Sequence, residues 1–124
     1  MKAIYINVLD NEVPRVVDIA PELEDIYNLI KCDAVDFATR VINKKRFTFI
    51  ADDIGLLKEN PIASVINDNF KVEFVGNVLI FGYPDDYGEL TGLTKQDIKD
   101  ILTLQFKIYD NKKDFHYGLI IKSV

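Results

Sequence analysis

Apolar and polar residues alternate with a period of two along much of this chain, the pattern of strands with one buried face. Residues 2–8 alternate in this way and are rich in Ile, Tyr and Val. Leu9-Asp10-Asn11-Glu12 reads as a turn, and residues 13–19 return as a second strand. Pro14 sits near the start of that strand, where a missing N–H does least harm. Residues 34–42 and 45–51 predict another hairpin about Asn43-Lys44. Val35, Phe37, Thr39 and Val41 share one face of it, and Phe47, Phe49 and Ala51 alternate against Arg46, Thr48 and Ile50. Residues 62–65 fit a short strand or a helical turn, and residues 72–75 are extended. Residues 78–81 form a continuous apolar run between Gly76 and Gly82, which predicts a buried strand. Residues 106–109 and 115–121, about a turn at 110–113, predict a closing hairpin.

Two stretches switch to helical spacing. Pro21 suits the first position of a helix, and Glu22, Glu24 and Asp25 favour its positive end. Leu23, Ile26, Tyr27 and Ile30 then fall on one face, so a helix is expected over about 21–31. Thr94 followed three residues later by Asp97 has capping-box spacing, and Ile98, Ile101 and Leu102 continue a helix over about 95–105. The expected fold is α+β: a single compact domain over residues 1–124. Its sheet is largely antiparallel and built from hairpins, with the two helices packed on one face. Residues 106–124 are expected to be a C-terminal hairpin extension.

Composition narrows the function classes. At 124 residues and 48% hydrophobic the chain suits one domain with a real core. A net charge of −5 works against binding nucleic acid directly, because phosphate contacts need clustered Lys and Arg. The opening residues read as a strand rather than an apolar signal segment, and no apolar run has the length of a membrane span. A cytoplasmic protein without membrane contact is therefore expected. One cysteine allows no intrachain disulfide.

The residues of conventional catalysis are scarce. His116, the one histidine, lies within the last predicted hairpin and reads as an ordinary strand residue. Cys32 follows the first helix, where the negative helix end opposes a thiolate. No Cys-His cluster for zinc and no calcium-loop spacing is present. The glycines do not form a phosphate loop. No catalytic residue, metal or cofactor is assigned, and an enzyme is not expected. Lys44-Lys45-Arg46 beside Phe47 and Phe49 has the look of a stacking platform, but a core role for the phenylalanines is the better reading. The remaining candidates are two acidic turns. Asp52 and Asp53 precede Gly55, and Asp85 and Asp86 precede Gly88 and Glu89. Turn chemistry alone also places Asp beside Gly in this way.

Several segments resemble one family. They are Met1-Lys2-Ala3-Ile4-Tyr5-Ile6, Asp52-Asp53-Ile54-Gly55-Leu56-Leu57 with Asn60-Pro61-Ile62-Ala63-Ser64, Val75-Gly76-Asn77-Val78-Leu79-Ile80-Phe81-Gly82, and Gly88-Glu89-Leu90-Thr91-Gly92-Leu93-Thr94. Their order is similar to that in short proteins of bacteriophages, plasmids and bacterial genomes catalogued as domain of unknown function 3846. The resemblance covers roughly the first hundred residues and leaves 106–124 outside. It implies a mobile-element setting and no established activity.

Two functions follow as expectations. The first is a non-catalytic phage or mobile-element accessory protein that binds and inhibits a host protein, such as a bacterial defence component with a basic nucleic-acid-binding surface. Its contacts would be Asp85, Asp86 and Glu89, with Asp52 and Asp53. The second is a small-ligand or nucleotide-binding protein, a signal sponge or weak enzyme. There the 52–64 loop would close over a pocket with Asn60, Ser64 and Asn77 as polar contacts. A homodimer through the last hairpin or an edge strand is a further expectation.

Overall fold

The computed structural model describes residues 1–109 and 114–122. The first predicted hairpin is β1 (Lys2–Ile6) and β2 (Arg15–Asp18), antiparallel, with Lys2 opposite Asp18 and Tyr5 opposite Arg15. The strand expected from residue 13 starts at Arg15, with Pro14 buried just before it. The second hairpin is β3 (Val35–Ile42) and β4 (Lys45–Asp52), paired along the full length of both strands. Asn43 and Lys44 join them with φ of 52° and 68°. Two positive-φ residues make the loop whose twist matches that of the strands it connects. The apolar run after Asn77 becomes β7 (Val78–Gly82), buried along its whole length. It lies between β1 and β4, giving a five-stranded sheet in the order β2-β1-β7-β4-β3.

The other strands make a second sheet. β5 (Ala63–Asn67), β6 (Val72–Val75), β8 (Gln105–Tyr109) and β9 (Phe115–Ile121) take the order β6-β5-β9-β8. The strand alternative for residues 62–65 is the one adopted. Residues 72–81 read as two adjacent strands but belong to different sheets. The chain changes sheet at Gly76, whose φ of +73° is a conformation other residues rarely adopt. β8 and β9 form the expected hairpin, and its predicted turn at 110–113 lies outside the described residues. β9 also pairs with β5 in parallel, Val65 opposite Leu119. The two backbones approach so closely that a Cβ on Gly118 would sit 2.4 Å from the Ser64 carbonyl oxygen.

Both helices are shorter than their patterns. α1 (Leu23–Ile30) begins after Glu22, which is extended, and ends at Lys31, which turns left-handed with φ 64°. α2 (Lys95–Leu102) carries the predicted capping box. The Thr94 hydroxyl accepts from the Asp97 N–H at 3.0 Å, and the Asp97 carboxylate accepts from the Thr94 N–H at 2.9 Å. Gln105, expected at the end of this helix, already belongs to β8.

The helices lie on opposite faces of the first sheet rather than sharing one. Ile4, Ile6, Phe47, Phe49, Val78 and Ile80 point to one side and meet Ile101 of α2 with Val65, Leu119 and Ile121 of the second sheet. Phe49 stacks on Phe74 there, ring centroids 5.3 Å apart. Ala3, Tyr5, Ile50, Leu79 and Phe81 point the other way and meet Ile26 and Ile30 of α1. β1, β4 and β7 are apolar on both faces, so each face needs its own cover. At the edge strand β3, Val35 packs against the α1 cluster, whereas Phe37 and Val41 stay 47% and 39% exposed.

Candidate functional site

The acidic turns lie at opposite ends of the first sheet. Phe47 pairs with Gly82 and Ile50 with Leu79, so Asp52 falls beyond one end of that ladder and Asp85 beyond the other. The sequence candidates therefore form two separate surfaces.

At the first, Asp85 is a turn builder. Its carboxylate accepts from the N–H groups of Tyr87 at 2.9 Å and Glu89 at 3.0 Å, and its own N–H donates to the Glu89 carbonyl at 2.9 Å. The turn is thereby held shut, and Asp86, Tyr87 and Glu89 are presented to solvent. Tyr87 is 91% exposed. Tyr83, at the root of the same turn, carries the Arg46 guanidinium 4.1 Å above its ring.

At the second, the end of α1 faces the loop after β4. The Asp52 carboxylate caps that loop by accepting from the Ile54 N–H at 3.1 Å, and it also forms an ion pair with Lys58. The hydrogen bond to Asp52 raises the Lys58 pKa above its ordinary value. Asp53 is exposed. Gly55–Leu57 forms a single 3₁₀ turn, with Gly55 buried. Two clefts flank this loop and share Lys31, Asp52 and Lys58. The larger, about 390 Å³, is lined by Tyr27, Cys32, Asp33 and Ile54. The smaller, about 90 Å³, brings Asp52, Asn60 and Asn77 together. Burial pushes the Cys32 thiol up, and the Asp52 charge adds to it, so the thiolate is disfavoured.

Two of the three polar residues expected around a pocket, Ser64 and Asn77, are occupied internally. Ser64 is fully buried and its hydroxyl donates to the Phe74 carbonyl at 3.1 Å. Asn77, 1% exposed, is the node of a network. Its Nδ2 donates to the Tyr5 hydroxyl and to the Leu29 carbonyl, each at 3.1 Å, and its Oδ1 accepts from the Leu9 N–H at 3.2 Å. The Tyr5 hydroxyl in turn donates to the Leu29 carbonyl at 2.6 Å. Burial, with Glu12 and Asp10 nearby, raises the Tyr5 pKa. Of the pocket set, Asn60 alone is exposed. His116 has its Nε2 2.6 Å from the Ala63 carbonyl. A carbonyl only accepts, so Nε2 carries the proton and the ring serves as a strand contact. Phe47 and Phe49 are core residues, 1% and 0% exposed. Among the described residues no group of three or more His, Cys, Asp or Glu side chains is placed to hold a metal.

A family model described as Domain of unknown function (DUF3846) matches residues 1–106. The chain belongs to that family. Both acidic turns, the 52–64 loop and both clefts beside it fall inside the family region. β9 falls outside it, although Leu119 and Ile121 are core residues. No curated protein and no solved structure matches the chain. Among the described residues no helix is long and apolar enough to cross a membrane.

One feature of the molecule left no trace in the sequence pattern. A third cleft, about 530 Å³, lies between the β3–β4 turn and the end of α2. Val41, Ile42 and Leu104 form its apolar wall, and Lys44 and Lys122 line it without an ion pair among the described residues. These residues are distant in sequence, and no motif or period links them.

Proposed function

We propose that the protein is a non-catalytic binding module that acts by occupying another protein. In the mobile-element setting that the family resemblance implies, the target is a host protein, and a defence component with a basic nucleic-acid-binding surface suits an acidic inhibitor. The observation that carries this reading is Tyr87, 91% exposed on a turn that Asp85 already holds in one shape. Tyrosine is a frequent interface anchor, and a preformed turn loses little freedom on binding. Asp86 and Glu89 beside it add charge that speeds encounter with a basic partner. The test is capture from a bacterial host lysate on the immobilised full chain, at low and moderate salt. A specific partner is expected, and Tyr87→Ala should weaken its binding at least about tenfold. Recovery of no specific partner at either salt would count against the proposal.

A second reading, a small-ligand or nucleotide-binding protein, is favoured by the convergence of Asp52 and Asn60 on one cleft. At about 90 Å³ that cleft suits a ligand of a few heavy atoms, while the adjoining one of about 390 Å³ falls within the range of small-molecule sites. Bound ligand adds stability by mass action. A thermal-shift screen with nucleotides, cyclic dinucleotides and divalent metals that stays flat throughout would remove this reading.

A further inference from the structure

Leu9, Ile54, Leu56 and Leu57 are 49%, 51%, 73% and 85% exposed. Three of them lie on one short loop, and Leu9 lines the small cleft beside Gly55 and Lys58 of that loop. The loop is anchored along its length. The Asp53 N–H donates to the Ala34 carbonyl at 3.0 Å, the Leu57 N–H to the Ile54 carbonyl at 2.9 Å, and the Lys58 N–H to the Gly55 carbonyl at 3.3 Å. The Asp52–Lys58 ion pair ties its two ends, and Gly55 packs against Val75. Large aliphatic side chains held outward on a fixed loop mark an interaction site more than scattered surface leucines do.

The charges around this patch select the occupant. Lys31 is paired with Asp10 at 2.8 Å, and Lys58 is paired with Asp52. Asp33, Asp53 and Glu59 have no ion pair among the described residues, which leaves the border of the patch acidic. A second copy docking patch to patch would oppose like charges. We propose that this loop is a docking surface for a basic amphipathic protein segment, one whose aliphatic face is flanked by Lys or Arg. The surface lies at the opposite end of the first sheet from Tyr87, so it stands independently of the function proposed above.

The test titrates the full chain with a synthetic amphipathic helix of leucine and lysine, followed by fluorescence anisotropy. Controls are a scrambled peptide of equal charge, a leucine–glutamate counterpart, and the chain variants Leu56→Ser/Leu57→Ser, Asp53→Asn/Glu59→Gln and Tyr87→Ala. The leucine–lysine peptide is expected to bind best. The double leucine variant should weaken it about 100-fold, the value for two leucines losing their burial. The double acid variant should weaken it less and flatten its salt dependence. Tyr87→Ala should leave it unchanged, and loss of binding in that variant alone would place the peptide on the other surface and overturn the assignment. Equal binding by the scrambled or glutamate peptide, or by the double leucine variant, would overturn it as well. All the substituted side chains are exposed, and unchanged thermal unfolding would show that the variants fold.

Discussion

Replacing Asn77 by alanine separates a structural role from a ligand-binding one. The amide makes three hydrogen bonds, to the Tyr5 hydroxyl, the Leu29 carbonyl and the Leu9 N–H. It thus ties β1, the last turn of α1 and the segment after β1 to the point where the chain changes sheet. A typical internal hydrogen bond contributes about 1 kcal/mol net. After the substitution the Leu29 carbonyl still accepts from Tyr5, but the Leu9 N–H loses its acceptor. Three lost bonds and one orphaned donor give about 3–4 kcal/mol, with the orphan counted near the low end of its range. That is a large part of the stability of a domain this size, and it corresponds to a fall in Tm of roughly 10 °C or more. Urea denaturation at pH 7.5, followed by circular dichroism, measures it. Tyr5→Phe disrupts the same network, so the double variant should cost about 1 kcal/mol less than the two single changes summed. A loss below about 1 kcal/mol, or simple additivity with Tyr5→Phe, would refute the node and return Asn77 to the candidate ligand contacts.

Burial pushes the Asp97 carboxyl up, but the Lys45 ammonium at 2.8 Å and the Thr94 amide outweigh it and leave the pKa below the ordinary value. Such a group stabilises the fold above the unfolded pKa of about 3.9 and ceases to do so as pH falls through the lower folded value. Asp97→Asn should therefore be destabilising at pH 7, with the difference from the unchanged chain shrinking below about pH 4 in urea titrations. Gly118→Ala should cost about 1–3 kcal/mol or more, because the new Cβ meets the Ser64 carbonyl oxygen and must push β5 and β9 apart; an unchanged midpoint would mean the two strands are not tightly joined. Cys32 should react with iodoacetamide more slowly in the folded chain than in urea at pH 7.5, since burial and Asp52 disfavour its thiolate; mass spectrometry over time reads the two rates, and equal rates would contradict the environment described.

Local chemistry is what one chain read residue by residue could determine. The helix start at Thr94, the left-handed pair Asn43-Lys44, the buried run at 78–81 and the aspartate turn at Asp85 each depend on neighbours a few residues away. The apolar pattern marked seven of the nine strands among the described residues, gave 72–75 only as extended, and left residues 62–65 open between two forms. It also identified the α+β class, and motif order identified the family. Tertiary structure decided everything that depends on pairing at a distance. Nothing local in Ala63–Asn67 or Phe115–Ile121 selects a parallel partner, and parallel pairing needs no turn signal. The division into two sheets, and of the helices onto opposite faces of the first, followed from strands that are apolar on both sides. Alternation describes such strands poorly, as the unbroken burial of 47–51 illustrates. The site candidates divided for the same reason. Asp85 and Asp52 are equivalent as sequence signals but lie at opposite ends of one ladder. Asn77 and Ser64 have ordinary polar side chains whose use was settled by distant carbonyl groups and a buried hydroxyl. The exposed leucines of the 54–57 loop are unremarkable in composition. They become a surface only because the loop is held by Asp52 and Lys58 with those side chains outward.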